Sequence, residues 1–129
     1  MGLAGCVHWI VATLVARSAA RRRLAQAQGI WMDVTFRLII RDRVQGVGFR
    51  AWAEAMANER GLQGWVRNRR DGSVEAVFVG PERAVLAVIE LCRQGPPGAR
   101  VETIDQGETS PADLALRRRG EAFSVLGTA

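Results

Sequence analysis

The order of apolar patterns along the chain predicts an α+β fold: strand, helix, strand, strand, helix, strand, with a short strand at the end. Three observations carry that reading. Val34, Phe36, Leu38 and Ile40 alternate with Thr35, Arg37, Ile39 and Arg41, the period of a strand. Two later stretches, residues 49–60 and 85–92, place apolar residues at helical spacing. Between those helices, Arg70-Asp71-Gly72 separates two apolar runs and supplies the Asp-Gly signal of a tight hairpin. A chain ordered this way folds as the split βαβ, ferredoxin-like βαββαβ sandwich, an antiparallel sheet with two helices on one face.

Each element follows from its residues. In the first strand, Ile39 lies on the otherwise polar face, so the strand is expected to be central and partly covered on both sides. Arg41-Asp42-Arg43 breaks the alternation and leads into a glycine loop. In the first helix Phe49, Trp52, Ala53, Met56 and Ala57 form one stripe for core packing, and Gly61 is a natural stop. Residues 63–69 and 73–79 are the hairpin strands. Val74, Ala76 and Phe78 share one face, Val77 and Val79 the other. The second helix is expected to start at Gly80-Pro81-Glu82, with Pro81 as its first helical residue. Val85, Leu86, Val88, Ile89 and Cys92 make its apolar stripe, and Gln94-Gly95-Pro96-Pro97-Gly98 ends it. Residues 99–105 form the fourth strand, with Val101 and Thr103 facing one way and Glu102 and Ile104 the other. Residues 107–120 are polar and interrupted by Pro111, and Phe123 and Val125 mark the closing strand.

The net charge of +5 over 129 residues first suggests a nucleic-acid binder. Its distribution argues otherwise. Arg17, Arg21, Arg22 and Arg23 fall in residues 1–32 with no acid, so residues 33–129 carry only +1 of that charge. The run Arg117-Arg118-Arg119 reads as a solvated loop. The apolar stretch of residues 3–16 is short for a membrane span, and its charge follows the apolar run, the reverse of a secretory signal. An Arg-rich, acid-free segment also fits a transit peptide or a membrane-surface helix. The favoured reading is a start at Met32. Residues 1–32 are then an extension outside the fold, residues 33–129 are the functional domain, and the location is cytoplasmic. Cys6 and Cys92 are one unpromising pair, His8 is the single histidine, and neither a metal cluster nor a histidine-dependent triad can be assembled in the domain. Cys92 reads as a small buried hydrophobe.

The stretch Val44-Gln45-Gly46-Val47-Gly48-Phe49-Arg50 stands between the first strand and the first helix. A strand that turns through glycines into a helix start points backbone N–H groups at one spot, and the helix dipole adds to the field there. Arg50 brings a planar, permanently charged fork. Together they make an anion cradle. This stretch closely resembles the phosphate-loop signature of the acylphosphatase family. A second block, Gly64-Trp65-Val66-Arg67-Asn68 followed by Gly72, Val74 and Gly80, looks like that family's other signature at matching spacing. The resemblance covers roughly residues 33–126, the size of one small domain.

The resemblance implies an enzyme that hydrolyses a carboxyl-phosphate anhydride to a carboxylate and inorganic phosphate, without metal or cofactor. It matches Arg50 to the phosphate-binding arginine and Asn68 to the water-orienting asparagine, with Val44, Gln45, Gly46, Val47, Gly48 and Phe49 as the cradle. The implied partner is a small acyl phosphate, with no nucleic acid and no membrane for the domain, and the expected state is a monomer. Where the family usually has glycine, this chain has Asp42. Either the position needs a positive φ, which Asp tolerates at some cost, or a carboxylate faces the phosphate and repels it. Two rival readings stand beside the enzyme. One is a phosphate-binding module without turnover. The other is an RNA binder using the second sheet face, where Thr35, Arg37, Glu75 and Val77 are expected at the solvent.

Overall fold

The computed structural model describes residues 33–129, and Ala20. Five strands and two α-helices follow in the expected order: β1 (Asp33–Arg43), α1 (Phe49–Glu59), β2 (Gln63–Asn68), β3 (Val74–Pro81), α2 (Glu82–Cys92), β4 (Arg100–Glu108) and β5 (Phe123–Val125). The sheet order is β4-β1-β3-β2-β5. The first four strands pair antiparallel. β5 pairs parallel with β2, so the sheet is mixed rather than purely antiparallel.

The core lies between one sheet face and the two helices. Val34, Leu38 and Ile40 from β1, with Val74, Ala76 and Phe78 from β3, meet Phe49, Ala53 and Ala57 of α1 and Val85, Val88, Ile89 and Cys92 of α2. The strand alternation therefore points as its sequence predicts. Phe123 stacks on Phe78 at 5.6 Å between ring centroids and anchors β5 to this layer. The Cys92 thiol is buried, which pushes its pKa up to about 12 and fits a packing role.

Several elements depart from expectation. β1 runs on through Arg41-Asp42-Arg43, because main-chain pairing with β4 continues past the apolar face. Opposite that end, Ile40 pairs with Ile104 but Asp42 pairs with Val101. Glu102 is thus an extra residue, a bulge that turns both Val101 and Ile104 toward the core. Simple alternation had separated them. Pro81 ends β3 and caps α2 instead of being its first helical residue. Met56 and Leu86 leave their stripes: Leu86 is exposed, and Met56 lies beneath Arg60, whose guanidinium also reaches the Met56 carbonyl.

The second sheet face is covered over β2 and β3. Glu75, Val77 and Thr35, expected at the solvent, are buried, as are Ile39 and Trp65. Within the polar segment, Pro111–Leu116 forms a 3-10 helix in contact with β2 and β3. The Trp65 indole donates to the Asp113 carbonyl at 2.7 Å. Arg37 and Arg67 hold the two oxygens of Glu75, and Arg67 also stacks over Trp65. This layer covers β2 and β3, while the Arg37 side chain stays 42% exposed, as expected for that position.

Candidate active site

The loop between β1 and α1 is built to leave N–H groups unclaimed. Val44 turns its side chain into the core and donates its N–H back to the Asp42 carbonyl at 3.0 Å. Gly46 and Gly48 then take φ of 74° and 77°, which L-side chains adopt only with strain. Gly48 is the N-cap of α1, and no side chain caps it. The Trp52 N–H closes the first helical turn onto Gly48, so the amides of Phe49, Arg50 and Ala51 precede any intrahelical bond. No acid stands in that first turn. The result is a positive helix end open to an anion.

Gln45 fixes this loop to the hairpin. Its side-chain amide donates to the carbonyls of Arg69 at 2.7 Å and Ser73 at 2.9 Å. Those two carbonyls flank the turn that follows Asn68. The turn itself is held by Asp71, whose carboxylate accepts from the Ser73 N–H at 2.9 Å and from the Ser73 hydroxyl. These bonds, the hydroxyl's foremost, hold the Asp71 carboxyl down at about 2. Asn68 is the last residue of β2, and its main chain pairs with Val74 and accepts from the Ala129 N–H. Because α1 and β2 run in opposite directions, the end of β2 returns to the start of α1.

Arg50 and Asn68 therefore line one cavity of about 300 Å³, together with Val44, Gln45, Gly46, Gly48 and Phe49. Both are half-buried. Among the described residues, neither the guanidinium nor the carboxamide has a hydrogen-bond or ion-pair partner. Val47 does not line the cavity, because its side chain packs against the core. The model of the acylphosphatase family matches residues 36–117, from β1 to just past the 3-10 helix.

This chain belongs to the acylphosphatase family. An acylphosphatase of Bradyrhizobium diazoefficiens is 55% identical over 91 residues, which cover 70% of this chain and 92% of that protein. The crystal structure of the Bacillus subtilis acylphosphatase is similar at 38% identity and a TM-score of 0.62, covering 74% of this chain and 99% of that one. Full-length HypF, in a phosphate- and nucleotide-bound form, shares the fold at 23% identity and a TM-score of 0.64 over 12% of its length.

The departure from the family pattern at Asp42 has a conformational explanation. Asp42 takes φ of 100°, the one positive value at a non-glycine residue among those described. Its carboxylate points away from the acylphosphatase cavity, pairs with Arg100 at 3.3 Å and lines a separate hollow with Arg41, Asp71, Gly72 and Ser73. Repulsion of a bound phosphate by this group is not what the geometry provides.

Three cavity residues were missed from sequence: Ala51, Glu54 and Val125. Glu54 was findable, since it follows Arg50 by one helical turn. Val125 was not, since its place depends on the parallel docking of β5. Among the described residues no group of three or more His, Cys, Asp or Glu is placed to hold a metal ion. Among the same residues no helix is long and apolar enough to cross a membrane.

Proposed function

We propose that this chain hydrolyses acyl phosphates, with Arg50 holding the phosphoryl group and Asn68 orienting the attacking water. What supports the reading most is the meeting of an uncommitted guanidinium and an uncommitted carboxamide in one cavity at an uncapped helix start. The chemistry asks for little more. The leaving carboxylate is a weak base, so no strong general acid is needed. Loop amides and the Arg50 fork take the phosphoryl oxygens and stabilise the charge that spreads over them. Water, donating a hydrogen bond to the Asn68 carbonyl oxygen, attacks phosphorus in line. The P–O bond to the acyl group breaks, and its electron pair leaves with the carboxylate. The proton of the water passes to a phosphoryl oxygen, giving inorganic phosphate.

Hydrolysis of benzoyl phosphate by the purified chain tests this directly. Turnover is expected in the parent, unchanged by excess chelator, and lost in Arg50→Ala. An Arg50→Ala protein with parental turnover removes the assignment. A folded parent that binds phosphate but turns over no acyl phosphate supports the binding-module reading instead.

The same reading places residues 1–32 outside the catalytic unit, the protein in the cytoplasm, and the working form as a monomer with no nucleic-acid partner. Sequencing the N-terminus of natively expressed protein tests the start at Met32. Cell fractionation, sedimentation and an RNA shift assay test the other three.

A further inference from the structure

Among the described residues, two charged side chains line the cavity, Arg50 and Glu54. A carboxylate in an anion cradle opposes the ligand the cradle is built for, so its position within the cavity matters. The unclaimed amides converge at the start of α1, and Arg50 belongs to the first turn. Glu54 follows Arg50 by four residues, on the same side of the helix and about 6 Å further along its axis. It is half-buried, and among the described residues its side chain has neither an ion pair nor a hydrogen bond. When Arg50 and the amides hold the phosphoryl group, Glu54 is the remaining charge facing the rest of the substrate.

We infer that Glu54 selects the acyl group by charge, favouring acyl phosphates whose acyl part is cationic or neutral over those carrying a second carboxylate. The inference rests on the acyl phosphate reading of this cavity. Glu54 touches no reacting atom in this role. Its carboxylate sets the sign of the field where the acyl part lies. Two like charges about 6–8 Å apart in a partly wet cavity repel enough to change a rate constant by about tenfold. Neither the phosphate loop nor Asn68 makes that distinction, because the phosphoryl group is common to every substrate.

Three substrates of one shape test it: 4-methylbenzoyl, 4-carboxybenzoyl and 4-(aminomethyl)benzoyl phosphate. The full chain is expected to rank them by kcat/KM as aminomethyl, methyl, carboxy. Glu54→Gln is expected to shrink the aminomethyl-to-carboxy ratio by about tenfold or more, and Glu54→Lys to invert the order. Comparing one substrate pair across variants cancels the intrinsic reactivity of each anhydride. Ratios unchanged within twofold in both variants overturn the inference, as does loss of all three activities in a folded Glu54→Gln protein, which assigns the residue to the chemistry. If the parent turns over none of the three, the acylphosphatase reading fails first, and this inference with it.

Discussion

At the scale of single residues, the proposed function divides its tasks between a cation and an amide, and the division predicts different defects. In that proposal Arg50 serves the anion, so its loss is expected to remove binding and turnover together. Asn68, in the same proposal, serves the water. Asn68→Ala is expected to lower kcat by about a hundredfold or more while the inhibition constant for inorganic phosphate stays within about threefold. Inhibition assays on that variant check this, and a matching loss of phosphate affinity would move Asn68 into the cradle. Asp42 offers a second separation. Its φ of 100° suits glycine, and its carboxylate is engaged by Arg100 outside the cavity. Asp42→Gly is expected to melt at or above the parent temperature, and Asp42→Ala to lose about 1 kcal/mol, since only glycine relieves the backbone. Turnover in Asp42→Gly should stay within about twofold. A tenfold gain would mean that the carboxylate had been repelling substrate after all.

At the scale of elements, the loop, the end of β2 and the hairpin act as one piece because Gln45 joins them. One side-chain amide donates to two main-chain carbonyls, those of Arg69 and Ser73, which also accept the Gly72 and Arg69 N–H groups. Gln45→Ala removes both bonds, though each carbonyl keeps a main-chain donor, and at about 0.5–1.5 kcal/mol per bond is expected to cost about 1–3 kcal/mol in thermal unfolding. The larger expected effect is on function: with the loop released from the strand that carries Asn68, kcat is expected to fall at least tenfold. Parental kinetics in a destabilised Gln45→Ala protein would show that the two elements hold their places independently. Gln45 also marks how far sequence reasoning reached. It was legible as part of a cradle, from its place between a strand and a helix start. That its side chain points at the hairpin, leaving only its main chain for an anion, depends on partners more than twenty residues away. The other misses share this cause. The bulge at Glu102 exists because β4 must pair with β1, and Val101 and Ile104 both find apolar neighbours. The burial of Glu75 and Val77 depends on the 3-10 helix that folds back over β2 and β3. Local patterns, by contrast, were enough for the order and nature of the main elements, for the hairpin at Asp71-Gly72 and for the helix stripe that buries Phe49, Ala53 and Ala57.

At the scale of the whole molecule, charge and fold are unevenly distributed. Residues 36–117 carry the family match, and residues 33–129 hold every strand and helix of the sandwich, yet residues 1–32 bring four of the five net positive charges. In the proposed function, a substrate dianion approaching the cavity is drawn locally by the helix start and Arg50, whose fields act over a few ångströms. The four arginines of residues 1–32 lie outside the described residues; exposed charges more than about 8 Å from a substrate are largely screened at physiological ionic strength. A protein spanning residues 33–129 is therefore expected to keep kcat/KM for benzoyl phosphate within about twofold of the full chain at physiological salt. Lowering the salt separates two ways in which the extension can matter. If its arginines steer the dianion, the full chain gains on the shorter protein as ionic strength falls, and the gain appears in kcat/KM and not in kcat. If the extension instead completes the fold, the shorter protein melts lower and loses kcat at every salt concentration. A tenfold loss of kcat at physiological salt would place residues 1–32 inside the working enzyme.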